Sequence, residues 1–164
     1  MTAPAKPDPL RGAIAGLAAG LAASLVMDLA QKGLSRLQPS DDSGGGDEPA
    51  TEQAADRVAQ AATGAPVPDE RKPVAGQGVH YGFGALLGLG YGIGAEYWPR
   101  ITTGWGSAYG IGNALLFDEA AVPAAGLGQA PWDTPASTHL YTLASHLVFG
   151  TAAEGTRRLV RAAI

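Results

Sequence analysis

The chain has 164 residues, room for one domain, and it contains no cysteine, which excludes disulfides, Cys-ligated zinc and thiol chemistry. The net charge is -4, and no basic face that would bind nucleic acid is present. The charges are also unevenly spread, since only six of the 84 residues from 73 to 156 carry one. Soluble domains carry roughly 25% charged residues, so this stretch has the composition of a membrane protein.

The first apolar stretch begins after Arg11 and is interrupted only by Ser24 and Asp28. Glycines recur at every fourth position in it, at Gly12, Gly16 and Gly20. This spacing lets two helix backbones approach closely in lipid, so we expect a transmembrane helix over residues 12–32. A basic residue before an apolar core also resembles a secretory signal peptide, although residues 27–29 make a poor cleavage site.

A polar loop follows over residues 38–76 and holds eight of the fifteen acidic side chains. Its first part is rich in glycine and serine and reads as a linker. Pro49 before an alanine-rich run and Gly64 after it predict a short helix over residues 50–62. We expect this acidic loop to lie outside the membrane.

The second apolar stretch, residues 78–98, is about as long as a bilayer is thick. At i,i+4 spacing, one face carries a glycine groove with an ionisable group at each rim: His80, Gly84, Gly88, Gly92 and Glu96. Trp98, Pro99 and Arg100 then predict a tight turn at the membrane interface. This stretch is the predicted centre of the fold.

Two more apolar stretches complete the chain, over residues 101–122 and 136–157. The third ends close to Asp118 and Glu119, and basic residues follow the fourth. One face of the fourth carries three ionisable groups: His139, His146 and Glu154. The sequence therefore predicts an all-α integral membrane bundle of four transmembrane helices, packed through small residues.

An even number of crossings places both termini on one side, together with Arg100 and the cluster of Arg157, Arg158 and Arg161. Basic residues favour the cytoplasmic side, so we expect cytoplasmic termini and an acidic loop on the opposite side. The lipid bilayer is then the first partner. A homo-oligomer or a partner membrane protein remains open, and no nucleic acid is expected.

The second half of the chain resembles the YagU-like inner-membrane proteins of bacteria. The similar features are a helix led by His80, the sequence EYWP at residues 96–99, the sequence SHLVFG at residues 145–150, and Glu154 followed by Arg157 and Arg158. The resemblance implies a cytoplasmic-membrane protein of about four helices, with no assigned catalysis and a loose association with acid tolerance. The chain departs from the family where Asp118 stands in place of an expected histidine.

The predicted threading brings ionisable groups together in one layer, at the end of the bundle away from the termini. Its members are Asp28, His80, Asp118, Glu119, His139 and His146. Such groups are costly in hydrocarbon and usually partner one another, and we expect His80 and Asp118 to act together. The layer could titrate, bind a divalent metal through imidazole and carboxylate, or only cap helix ends at the water interface. Haem is a weaker alternative, since His146 lies about 10 Å below His139 and lacks a histidine at matching depth.

An opposite layer, Glu96, Arg100, Glu154, Arg157 and Arg158, is predicted to form ion pairs at the cytoplasmic edge. No catalytic residues are predicted. Residues 90–94 lack the spacing of a phosphate-binding loop, and no Ser/His/Asp arrangement is supported. We therefore expect a protein that is not an enzyme and needs no cofactor.

Four functional interpretations remain open at this point. The first is a membrane protein that supports acid tolerance through the His/carboxylate layer. The second is an accessory subunit that packs against a partner membrane protein through glycine grooves. The third is a membrane metal-binding protein, and the fourth is a soluble Gly/Ala-rich helical protein with an interior groove.

Overall fold

A computed structural model describes residues 6–35 and 48–164, and every regular element in them is helical. The first part of the predicted acidic loop, residues 38–47, lies outside the described residues. The helices are α1 (Pro9–Ser35), α2 (Ala50–Thr63), α3 (Lys72–Tyr97), α4 (Ser107–Asn113), α5 (Val122–Ala124) and α6 (Ala136–Ala163). A π-helical stretch over Ala114–Ala121 joins α4 to α5, so these three form one continuous helical segment.

Helix α3 begins at Lys72, six residues before the predicted start at residue 78. Pro73 lies in its first turn, where a missing N–H costs no intrahelical hydrogen bond. The predicted loop is shorter by the same amount. Other helix ends also lie beyond the expected ones, since α1 begins at Pro9 and α6 continues to Ala163.

Glycines set the distance between α1 and α3, which run antiparallel. A Cβ atom at Gly16 would collide with the carbonyl oxygen of Gly88, and one at Gly20 would collide with that of Gly84. Gly12 faces Gly92 in the same way. The two predicted glycine ridges therefore lie against each other, with their backbones in direct contact.

A second close contact joins α4 to α6, and sequence spacing had not singled it out. Gly106 and Gly150 lie so close that a Cβ on either would collide with the carbonyl oxygen of the other. Gly110 lies against the backbone carbonyl of His146. Helix α6 also packs along α1, where Phe149 and Ala153 join a small buried cluster with alanines of α1.

The bundle has small side chains inside and large apolar side chains outside. Ala15, Ala19, Ala23 and Ser24 of α1 are fully buried. The opposite side of α1 exposes a stripe of large side chains: Leu10, Ile14, Leu17, Leu21, Leu25 and Leu29. Helix α3 exposes Phe83 and Leu86, the π-helical stretch exposes Leu115 and Leu116, and α6 exposes Leu140 and Leu159.

One helix in the described residues, over Pro9–Leu34, is long and apolar enough to cross a membrane, with a mean hydropathy of 1.8. A core helix of a soluble protein or a signal sequence would meet the same criterion, so this feature alone is weak evidence. The all-helical architecture confirms the predicted all-α class. Of the four predicted transmembrane helices, one in the described residues has the length and composition to cross a membrane.

Candidate functional site

The six residues of the predicted His/carboxylate layer lie in three pairs at one end of the bundle, here called the histidine end (His80, His139 and His146). His80 Nε2 lies 3.2 Å from Asp28 Oδ1. His146 Nε2 lies 2.7 Å from Asp118 Oδ2, and His139 Nδ1 lies 2.6 Å from Glu119 Oε1. Asp118 therefore partners His146 rather than the expected His80. Each pair joins two different helical segments.

The first pair depends on the glycine contact between α1 and α3. Because the two backbones touch from Gly12 to Gly20, Asp28 emerges beside the start of α3, where three side chains reach its carboxylate. Tyr81 donates its hydroxyl to Asp28 Oδ2 at 3.0 Å, and Gln77 donates its amide to the same oxygen. The contact with His80 is an ion-pair distance without good hydrogen-bond alignment.

The other two pairs depend on the π-helical stretch. Pro123 cannot donate a backbone hydrogen bond to the residue four positions earlier, and a wider turn ahead of it accommodates the defect. Within this stretch the neighbours Asp118 and Glu119 reach His146 and His139, which lie two turns apart on α6. The widened turns thus give α6 two carboxylates from adjacent positions.

His139 lies between two acceptors. Its Nδ1 faces the Glu119 carboxylate, and its Nε2 lies 3.0 Å from the carbonyl oxygen of Pro131. Neither acceptor can supply a proton while the carboxylate is ionised, so the ring satisfies both only when both nitrogens carry hydrogen. This geometry favours the imidazolium form and holds the loop before α6 against the helix.

Two of the three pairs line one cavity of about 700 Å³. The cavity lies between α1, α3, the π-helical stretch and α6, with the pair of His80 and Asp28 in one part of its wall and the pair of His146 and Asp118 in another. Phe83 and Phe117 also line it and stack edge to face, with ring centroids 4.8 Å apart. The pair of His139 and Glu119 is not part of the lining.

Two residues of the lining also have a buried polar atom without a protein partner. Ser24 is fully buried, lines the cavity, and its hydroxyl has no hydrogen-bond partner within the protein. Nδ1 of His146 is likewise buried without a protein partner. A buried polar atom without a partner costs roughly 1–3 kcal/mol, so both atoms lower the stability of the bundle beside the cavity.

Helix α2 closes the cavity at the histidine end. Its first turn contributes Ala50, Thr51 and Ala54 to the lining. Arg57 donates to the carbonyl oxygens of Ala125 and Gly126, the second at 2.9 Å, which ties α2 to the turn after α5. These two hydrogen bonds attach one side of α2 to the chain that follows α5.

Lys72 fixes α2 from the side of α3. Its ammonium lies 3.0 Å from Glu48, 3.1 Å from Asp56 and 3.3 Å from Asp69. The hydrogen bond from Lys72 holds the pKa of the Asp56 carboxyl below its ordinary value, and the same carboxylates raise the pKa of Lys72. The sequence prediction did not include this cluster, although its lysine and all three acids belong to the predicted polar loop, residues 38–76.

The opposite end, here called the arginine end (Arg157, Arg158 and Arg161), holds two ion-pair clusters. Glu154 is fully buried and paired with Arg157 and Arg158. Glu96 pairs with Arg161 at 2.6 Å, a partner absent from the predicted layer. Arg100, which was predicted to belong there, is exposed, and among the described residues its side chain joins neither cluster.

A metal site of three ligands does not form in the described part of the chain, where no three His, Asp or Glu side chains come close enough together to hold an ion. The histidines are instead distributed one to each carboxylate. The arrangement can exchange protons and hold charge, and it offers a partly apolar cavity to a ligand.

Comparison with known families gives one match: the family described as "Protein of unknown function (DUF1440)" matches residues 58–155. The matched region includes all three histidines together with Asp118 and Glu119, whereas Asp28 lies before it. No curated protein and no solved structure matches the chain.

Proposed function

The chain belongs to the DUF1440 family of proteins of unknown function, and we propose that it is a four-span membrane protein whose cavity at the histidine end responds to protons. The cytoplasmic membrane of a bacterium is the proposed location, in line with the resemblance to the YagU-like proteins. Contribution to acid tolerance is the proposed role.

The exposed side chains support four crossings. Each long helical segment exposes large apolar side chains, most of them leucine, whereas its contacts with neighbouring helices are made mainly by glycine, alanine, serine and paired charges. In water such a surface would be a large apolar patch, which soluble monomers rarely expose. In lipid, small residues at the contacts and large ones at the surface are the ordinary arrangement.

The ends of the bundle support the same placement. Trp98 and Trp105 are exposed at the arginine end, and Trp132 is 85% exposed at the histidine end. Tryptophan is enriched at both membrane interfaces. The arginine end would face the cytoplasm by the positive-inside tendency, so the cavity would open toward the opposite side.

The observation that carries the proposed proton response is that two His/Asp pairs, contributed by four helical segments, line one cavity. Histidine is the side chain whose ordinary titration falls between about pH 5 and 8. A change of charge at either pair alters the attraction between two helices at once. External acid would therefore change the stability and opening of this end of the bundle.

The test is the pH dependence of thermal unfolding in lipid nanodiscs, followed by tryptophan fluorescence from pH 4.5 to 8. Glutamine keeps a hydrogen-bonding amide but cannot titrate, so His80→Gln combined with His146→Gln should remove the contribution of the cavity pairs to the profile and leave that of His139 and Glu119. Asp133→Asn removes an exposed carboxylate outside the cavity and should keep the profile of the parent protein. An unchanged profile in the folded double variant would contradict the proposal.

Double-mutant cycles test the pairing itself. His80→Gln with Asp28→Asn should be non-additive, because the first change already removes the partner of the second. His80→Gln with Asp118→Asn should be closer to additive, since these residues belong to different pairs. Equal coupling in both cycles would mean that the two pairs titrate as one group.

The accessory-subunit alternative is not favoured by the predicted grooves, because the ridges of α1 and α3 fill each other. Open space remains beside Gly78, Gly82 and Gly90 on another face of α3. Binding of a second copy or of a partner membrane protein is still a prediction, and this face of α3 is where it would occur.

A further inference from the structure

We propose that the cavity at the histidine end is a binding site for lipophilic monovalent organic cations, which compete there with protons. The inference rests on the proposed function, because the competing proton is the one assigned above to the two His/Asp pairs. It adds a class of ligand, amines or onium ions with a bulky apolar body.

The charge of the lining selects the sign of the ligand. Asp28 and Asp118 supply two carboxylates, and no lysine or arginine belongs to the lining that the structure describes. With neutral histidines the lining carries two negative charges, which attract a cation and repel an anion. Asp28 belongs to α1 and Asp118 to the π-helical stretch, so a cation bound between the two carboxylates would also hold these segments together.

The helical elements that line the cavity carry charged or titratable groups both inside and outside its lining. They are Asp28 and Lys32 on α1, Glu52 and Arg57 on α2, His80 and Tyr81 on α3, Asp118 and Glu119 in the π-helical stretch, and His139 and His146 on α6. Arg57 is engaged with backbone carbonyls, and Glu119 with His139, outside the lining. The two aspartates and their histidines are the charged groups that face the interior of the cavity.

The apolar walls select an organic cation over a small hydrated ion. Phe83, Phe117 and Phe149 line the cavity with Met27 and Leu87. Aromatic faces attract cations, and this attraction strengthens when the cation has lost its water. A volume of about 700 Å³ also lies in the range that drug-sized molecules occupy. A bare metal ion would leave most of this apolar surface uncovered.

Ser24 places a buried polar group next to one of the two carboxylates. Its side chain is 0% exposed, lines the cavity and has no protein partner for its hydroxyl. Its position on α1 is one helical turn before Asp28, so it lies beside the carboxylate that would attract the ligand.

Protons and the cation would compete because both act on the same carboxylates. Protonation of His80 and His146 changes the lining from two negative charges to none, which removes the attraction for a cation. Binding should therefore weaken as the pH falls through the range in which histidine titrates.

The experiment compares two probes of the same shape and opposite charge, tetraphenylphosphonium and tetraphenylborate. Equilibrium dialysis with the full chain in dodecyl maltoside measures binding, and empty micelles provide the background. This detergent has no charge or ammonium group that would mimic the ligand. We expect saturable binding of the phosphonium at pH 8, weakened on the order of tenfold at pH 5, and no saturable binding of the borate.

Variants locate the site. Asp28→Asn and Asp118→Asn should each weaken phosphonium binding on the order of tenfold, as the loss of one charge partner predicts. Asp133→Asn, an exposed carboxylate outside the lining, should bind like the parent chain. Circular dichroism confirms that each variant is folded, and the two aspartate variants serve as independent tests of one site.

The possible outcomes separate this inference from the proposed function. No saturable phosphonium binding at pH 8, equal binding of the borate, or indifference to both aspartate changes would overturn the cation site. Saturable binding that does not change between pH 5 and 8 would leave the cation site standing, but it would contradict the competition with protons and count against the proposed proton response.

Discussion

Glu154 is a fully buried carboxylate, and its neighbours illustrate what holds such a charge inside a helical bundle. Arg157 makes two hydrogen bonds to it, at 2.8 and 2.9 Å, and Arg158 makes a third. Tyr91 on α3 donates its hydroxyl at 2.8 Å. The carboxylate thus joins α3 to α6, while Arg158 also stacks over the ring of Trp105 at 4.3 Å.

Glu154→Gln should be among the most destabilising single changes in the protein. It leaves the guanidinium of Arg157, which is mostly buried, without its counter-charge, and breaking a buried pair in this way costs about 3–5 kcal/mol. Tyr91→Phe removes one hydrogen bond to a charged group and should cost about 1.5–3 kcal/mol. Unfolding titrations with sodium dodecyl sulfate measure both free energies.

Arg100→Gln is the matched control for these changes, since Arg100 is exposed at the same end and belongs to neither ion-pair cluster. It should change the free energy of unfolding by no more than about 0.5 kcal/mol. If Glu154→Gln were as mild as Arg100→Gln, the buried cluster would not contribute to the fold.

At the scale of helices, glycine determines which elements can touch. Gly88 lies where its Cα faces the backbone of α1, and a Cβ there would collide with the carbonyl oxygen of Gly16 and with the backbone of Gly20. Gly90, two residues away on the same helix, has open space around the position of a Cβ. Both positions are glycines within the same glycine-rich helix, but Gly88 is in contact with α1 and Gly90 is not.

Gly88→Ala should therefore destabilise the bundle by about 1–3 kcal/mol, the usual cost of overpacking, because the collision is with backbone that cannot rotate away. Gly90→Ala should be neutral or slightly stabilising, because alanine loses less backbone conformational entropy than glycine when the helix forms. Thermal unfolding in one detergent compares the two variants directly. Similar effects at both positions would show that α1 and α3 are farther apart than described.

The sequence was sufficient to predict the faces of the helices but not every contact between them. Periodic glycines identify the touching faces of α1 and α3, and ionisable groups near helix ends identify the histidine end. Which carboxylate meets which histidine depends on helix rotation, and the π-helical stretch changes that rotation before Asp118 and Glu119. Spacing rules assume a regular helix, so Asp118 was grouped with His80 instead of His146.

Two other contacts escaped prediction for different reasons. Arg161 was assigned to the basic C-terminal cluster, and only the packing of both α3 and α6 against α1 brings its side chain to Glu96. The cavity requires α2 to fold back over the bundle through Lys72 and Arg57. Single side-chain contacts between segments that are distant in the chain leave no periodic pattern in the sequence.

For the whole molecule, the open question is whether the exposed apolar side chains belong to one membrane-spanning helix or to four. Among the helices that the structure describes, α1 is the one long and apolar enough to cross a membrane, because it combines alanine and leucine over Pro9–Leu34. The other long segments contain many glycines, tyrosines and paired ionisable groups, which lower the mean hydropathy although their outward faces carry large apolar side chains. A mean over all faces of a helix therefore does not describe the apolar character of its outward face alone.

Reporter insertions at four sites separate one crossing from four in a bacterial host. The sites are Gly64 after α2, Arg100 after α3, Gly128 after α5 and the C-terminal Ile164. Four crossings place Arg100 and Ile164 in the cytoplasm, where green fluorescent protein is bright, and Gly64 and Gly128 outside it, where alkaline phosphatase is active. A single crossing at α1 would place all four sites on one side, because every site follows that helix. The alternating pattern is the expected result, and a uniform one would remove the lipid-facing interpretation of α3, α4 and α6 together.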